Sequence, residues 1–152
     1  MSDINEAMIF AAGFGKRMYP LSTKVPKPLL KVNGKPIIFY IIENLINLNF
    51  KNIVINTHHL SEKFHNELKP YSKTIKIVFE EEILDTGGGF LNALKRNYFY
   101  NLKSPKVLIN GDILWKKTAN SPIKNILRNW NEEKMDLLLC LIKKQFFFGY
   151  KG

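Results

Sequence analysis

Cysteine is all but absent: Cys140 stands alone among 152 residues. That excludes an internal disulfide and a thiolate-rich metal site. Its setting, Leu137-Leu138-Leu139-Cys140-Leu141-Ile142, predicts a thiol buried in a strand rather than a nucleophile. Histidine is scarce too. His58, His59 and His65 have no cysteine cluster beside them, so a zinc site is not expected and the pair His58-His59 is assigned a surface role. No apolar run approaches the length of a bilayer span, and the amino-terminal stretch carries acids without the apolar region of a signal peptide. No membrane partner is expected, and the protein is predicted to be cytoplasmic. Acidic residues are missing from Ala7 through Ile42, where six basic ones stand: Lys16, Arg17, Lys24, Lys27, Lys31 and Lys35. Charge of one sign over such a stretch suits a segment that handles an anion.

What is present indicates a folded domain. Hydrophobic residues make up 45% and aromatics 12% of the chain, which is not a disordered composition. The length fits one domain, 1–152, with a substantial core. The net charge of +10 and pI near 9.7 favour anionic partners. Lys, Asn and Ile are abundant throughout, so the charge carries little weight alone. Strand and helix patterns alternate. Strands are expected at 7–11, 53–56, 75–80, 107–110 and 136–142. Helices are expected over 37–48, over 62–68 with Ser61 as N-cap, over 90–97 behind the Thr86–Gly89 run, and over 123–130 started by Pro122. Strands separated by helices imply a parallel sheet covered on both faces. Ligands of such sheets sit at the carboxyl ends of the strands.

The informative residues fall at those ends. Met8-Ile9-Phe10-Ala11-Ala12 runs into Gly13-Phe14-Gly15-Lys16-Arg17. A glycine turn lets backbone N–H groups approach a ligand closely, and two cations follow at once, an arrangement that favours phosphate. A Walker A loop does not fit, because one residue rather than four separates the glycines and Arg17 follows Lys16. The dinucleotide fingerprint does not fit either, because Met18 stands where its third glycine belongs. Lys27 lies between Pro26 and Pro28, which stiffen the backbone around a possible phosphate clamp; a solvated surface lysine is the alternative. Asp112, after Asn110-Gly111, could hold a hard cation such as Mg²⁺ or could cap a turn. Thr86-Gly87-Gly88-Gly89 could present main-chain groups to a flat base or could be a flexible loop.

The ordered string Ala11-Ala12-Gly13-x-Gly15-x-Arg17-Met18-x-Pro20-Leu21, then Pro26-Lys27-Pro28-Leu29-Leu30, closely resembles the signature of the sugar-phosphate nucleotidyltransferases, or NDP-sugar pyrophosphorylases. Thr86-Gly87-Gly88-Gly89 and Asn56-x-His58-His59 look closest to the branch of N-acetylmuramate-1-phosphate uridylyltransferases and mannose-1-phosphate guanylyltransferases. The resemblance implies a Rossmann-like, three-layer α/β/α domain of GT-A-like type with a mostly parallel sheet. It implies transfer of NMP from UTP or GTP to a sugar 1-phosphate with release of pyrophosphate and Mg²⁺ as cofactor. It assigns nucleotide contact to Ala11, Ala12, Gly13, Gly15, Lys16, Arg17, Asn56, Thr86, Gly87, Gly88 and Asp112. It further implies catalytic roles for Arg17 and Lys27 and metal binding by Asp112.

Members of that family continue beyond the matched region with further strands, a sugar pocket and a second metal-binding aspartate, whereas no carboxylate follows Asp136 here. The expectation is an amino-terminal, nucleotide-binding part of the domain with its carboxy-terminal part missing; a second chain that supplies that part is an open alternative. A catalytically inactive NTP-binding fragment is another. A nucleic-acid-binding protein would spread its cations along a surface with exposed aromatics. Here they concentrate around one glycine loop, and no nucleic-acid partner is expected.

Overall fold

The computed structural model describes residues 4–115, 121–141 and 143. The chain divides into two compact units, 1–115 and 116–152. In the first, strand β1 spans Glu6–Phe10. A 3-10 turn at Lys16–Met18, the short helix α1 at Leu21–Lys24 and a second 3-10 turn at Lys27–Leu29 follow. Strands β2, Lys31–Val32, and β3, Lys35–Pro36, form a small antiparallel hairpin. Its turn is Asn33-Gly34, both with positive φ, 51° and 76°. Helix α2 covers Ile37–Asn47, β4 Asn52–Thr57, α3 Ser61–Glu67, β5 Ile75–Phe79, α4 Asp85–Lys95 and β6 Val107–Asn110. In the second unit α5 covers Pro122–Asn129. Ser121 caps it, its hydroxyl accepting from the Lys124 N–H at 3.1 Å.

The main sheet has the order β5-β4-β1-β6 and every pair is parallel. Met8 lies opposite Val54 on one side and Leu108 on the other. Every residue of β4 is buried, as expected of a central parallel strand covered on both faces. Met8, Val54 and Val78 pack with Ala93 and Phe99. The intervening residues Ala7, Ile9, Ile53 and Ile55 are buried on the opposite face. Helix α2 buries Ile38, Ile41, Ile42 and Leu45, the i, i+3, i+4, i+7 stripe of an amphipathic helix. It overrides the strand preference of its isoleucines. Asn49 ends it at φ 65°, with the Phe50 N–H reaching back to the Leu45 carbonyl at 3.1 Å. The order places β1 where the chain reverses: β4 and β5 lie on one side and β6 on the other. The carboxyl ends of β1 and β6 therefore flank the topological switch point.

Several expectations are corrected. Residues 131–141 contain turns and no strand. Leu137, Leu139 and Leu141 are exposed, and Cys140 is an exposed thiol rather than a buried one. Ile142 lies outside the described residues. Ser61 is the first helical residue and not the N-cap; its hydroxyl pairs with that of Thr57 at 2.7 Å. Thr86–Gly89 does not precede its helix but forms the first turns of α4; packing overrides the poor helix propensity of three glycines.

Candidate active site

The loop leaving β1 is fixed from several sides. Gly15 adopts a left-handed conformation, φ 65°, which glycine takes without strain. A Cβ there would lie 3.0 Å from Lys27 Cβ and 3.2 Å from Ser22 Cβ. The Gly15 carbonyl accepts from the buried Ser22 hydroxyl and from the Met18 N–H, both at 2.8 Å. Phe14, at the tip, meets the His58 ring edge-on at 5.4 Å and the His59 ring at 5.7 Å. Lys16 Nζ lies 5.6 Å from the Phe14 centroid. Pro26 and Pro28 are buried and anchor Lys27 between them. On the other side the Gly111 N–H donates to the Phe10 carbonyl at 2.8 Å. That bond carries the β1–β6 pairing past the strand end and brings Asp112 to the loop.

The result is a cleft lined by Phe10, Ala11, Gly13, Gly15, Lys16, Arg17, Lys27, Pro28, Asn110 and Asp112. Three cations and one carboxylate face it. Lys27 Nζ stands 2.5 Å from Asp112 Oδ2, with both side chains partly open to solvent. Arg17 is exposed, and its guanidinium is in no ion pair among the described residues. Net positive charge beside free loop N–H groups is an environment for a polyanion. Asp112 is the one acidic oxygen donor in the cleft, and no group of three or more His, Cys, Asp or Glu side chains forms a metal cluster among the described residues.

The structure therefore brings together Ala11, Gly13, Gly15, Lys16, Arg17, Lys27 and Asp112. Ala12 is buried beside the cleft. Asn56 is 3% exposed and stands behind the loop: its Oδ1 accepts from the Ala11 N–H at 2.8 Å and its Nδ2 donates to Glu80 Oε1 at 2.8 Å. Thr86, Gly87 and Gly88 lie in the first turn of α4, outside this cleft, and no side chain caps that turn. His58 is half-buried rather than a surface residue. Its Nδ1 is 2.8 Å from the Glu80 carbonyl and its ring stacks on Phe79 at 6.3 Å. Glu80 and Ser22 are the supporting residues that sequence reasoning missed. Glu80 is written as the first of three consecutive glutamates, and nothing in that run marks the buried one.

Fold and cleft define a class: an α/β domain with a parallel sheet and a basic, glycine-lined cleft at its switch point. The chain belongs to the family described as Nucleotidyl transferase, a family of enzymes whose model matches residues 6–146. It is 29% identical over 150 residues to N-acetylmuramate alpha-1-phosphate uridylyltransferase of Caulobacter vibrioides, covering 95% of this chain and 60% of that protein. It is 28% identical over 113 residues to mannose-1-phosphate guanylyltransferase catalytic subunit beta of Danio rerio, covering 72% of this chain and 31% of that protein. Among solved structures, HddC from Yersinia pseudotuberculosis, complexed with GMP-PN, superposes with a TM-score of 0.59 at 26% identity, covering 72% of this chain and 48% of HddC. The chain thus spans between about a third and three-fifths of the length of these proteins. No helix among the described residues is long and apolar enough to cross a membrane.

Proposed function

We propose that this chain is the nucleotide-binding part of a cytoplasmic sugar-1-phosphate nucleotidyltransferase, using UTP or GTP and a sugar 1-phosphate such as that of N-acetylmuramate or mannose. The observation that carries the reading is the convergence of the Gly13–Arg17 loop, Lys27 and Asp112 on one cleft at the β1/β6 switch point, in a chain of this family. A sugar 1-phosphate oxygen attacks the α-phosphorus of the nucleotide. The bond from that phosphorus to the bridging oxygen breaks, and pyrophosphate leaves with the electron pair. Positioning and charge neutralisation supply most of the catalysis in such transfers. The N–H groups of the Ala12–Gly15 stretch, Lys16 and Arg17 hold the triphosphate, the Ala11 N–H being taken by Asn56. Lys27 holds phosphate at the transfer centre, and the first turn of α4, Thr86–Gly88, meets base and sugar.

The donor set fits Mg²⁺ carried with the nucleotide. One carboxylate, Asp112, suits an ion that keeps waters and takes phosphate oxygens for the rest of its shell. When bound, the ion neutralises charge on the phosphates. The test is titration calorimetry of UTP and GTP with and without Mg²⁺, beside pyrophosphate release with N-acetylmuramate 1-phosphate and mannose 1-phosphate. Asp112→Asn is expected to abolish the Mg²⁺-dependent gain in nucleotide affinity with the melting temperature unchanged. An unchanged Mg²⁺ titration would return Asp112 to the role of turn residue. Absence of binding by both nucleotides would overturn the reading.

A further inference from the structure

Behind the cleft lies a buried pair that the chemistry above does not use. Asn56, at the end of β4, and Glu80, just past β5, are 3% and 1% exposed. The Ala11 N–H donates to Asn56 Oδ1, Asn56 Nδ2 donates to Glu80 Oε1, and the Leu84 N–H donates to Glu80 Oε2 at 3.3 Å. Two backbone donors thus converge on the pair from opposite ends, one from the root of the glycine loop and one from the residue that opens α4. No cation among the described residues pairs with Glu80. Gly89 supplies a separate observation: a Cβ there would stand 2.7 Å from Glu80 Oε1 and 2.9 Å from Asn56 Nδ2. Such contacts force the two side-chain ends to shift, so a Cβ at Gly89 is incompatible with the observed Asn56–Glu80 geometry.

The donor–acceptor logic is restrictive. Each outer end must accept a backbone N–H, and the two inner ends must be one donor and one acceptor. An amide and a carboxylate satisfy this in either order. Two amides leave donors facing each other, and two carboxylates leave acceptors facing each other. We propose that Asn56 and Glu80 are positioning residues that lock the Ala11–Arg17 loop and the Leu84–Gly88 turn into one unit, so that the phosphate and base contacts of the nucleotide are presented at fixed spacing. The loop coupling stands on the hydrogen bonds alone; its service to a nucleotide rests on the function proposed above.

The test uses the 152-residue chain with Glu80→Gln, Asn56→Asp and the double exchange, which restores an amide and a carboxylate in reversed order. Without ligand, each single change is expected to speed amide exchange of both Ala11 and Leu84 roughly tenfold, as loss of a buried hydrogen bond implies. The double exchange should return both to within about twofold of wild type. Calorimetry with UTP, GTP and inorganic tripolyphosphate, each with Mg²⁺, supplies the second readout. The singles should weaken the nucleotide bound by wild type roughly tenfold and tripolyphosphate by less than about threefold, because tripolyphosphate engages one loop only. The double exchange should restore the nucleotide. A role confined to stability would lower the melting temperature and weaken both ligands alike. Should Asn56→Asp fail to fold, Gly89→Ala, which forces the pair apart sterically, is expected to reproduce Glu80→Gln. Exchange that rises at Ala11 and not at Leu84, or a double variant no better than the singles, would overturn the coupling. Intact coupling in a wild type that binds neither nucleotide would overturn the nucleotide reading and leave the brace standing.

Discussion

Strand β4 carries two asparagines four residues apart, and each reaches a buried glutamate, one at either end of the sheet. At the amino-terminal end Asn52 Nδ2 donates to Glu6 Oε1 at 2.7 Å. Glu6 also accepts from the Tyr100 and Asn101 N–H groups and pairs with the buried Lys106 ammonium at 3.3 Å. Burial pushes the Glu6 carboxyl up, but the Asn52 amide, the two backbone N–H groups and Lys106 outweigh it and hold it below the ordinary range. At the other end Glu80 has Asn56 and one backbone N–H and no cation among the described residues. Asn52 Oδ1 has no partner among them, whereas Asn56 Oδ1 holds the glycine loop. The same two residue types therefore do different work. At one end the carboxylate is fully partnered and closes the sheet; the other end hands its bonds outward to loops beside the cleft.

The two ends divide stability and binding only if the Glu6 end contributes to stability. Lys106→Met should have the largest effect, a loss of about 3 kcal/mol in urea unfolding, because it strands a buried carboxylate. A loss below about 1 kcal/mol would mean that the Asn52 amide and the two backbone donors suffice to hold the Glu6 carboxylate. A change at the cleft end should act on binding alone: Arg17→Ala is expected to weaken nucleotide binding roughly tenfold or more, as loss of a charge-assisted contact implies. The urea midpoint should not move, since Arg17 is exposed. Equal affinity by calorimetry would remove Arg17 from the site. The smallest effect concerns acid. With the folded Glu6 value lowered from 4.5, the unfolded chain takes up the proton first. The stability that Glu6 contributes is complete above pH 4.5 and declines as pH falls through the lowered value. Glu6→Gln should flatten that acid limb, and an unchanged slope in pH-dependent unfolding would assign the limb to other carboxylates.

Much of the sheet was readable because buried parallel strands are short apolar runs with turn residues at their ends. Ile53–Asn56 and Val107–Asn110 fall inside observed strands, and Ala7–Ala11 is offset from β1 by one residue. Leu137–Ile142 shows the limit of that signal, since an equally apolar run has no strand through Leu141. The β2–β3 hairpin carried its own mark, Asn33-Gly34 between short extended pieces, the sequence preferred by a tight turn with two positive φ angles. Strands of two residues each leave no alternating pattern beside that mark. The cleft residues were legible as an ordered string of glycines, prolines and cations. Asn56 stood out only through the resemblance, as a nucleotide contact; its bonds to the loop and to Glu80 were not legible, because those partners lie 45 and 24 residues away, and a buried glutamate looks like any other until its donors are known.

Glycine-rich loops are commonly equated with motion, but the ring of Phe14 argues otherwise here. Flanked by Gly13 and Gly15, it is seated against His58 and His59, and His58 is itself held by the Glu80 carbonyl. The conformational freedom of the two glycines is thereby converted into shape during folding. A ligand meets a loop whose ordering entropy has already been met, and little of its contact energy is spent on arranging the receptor.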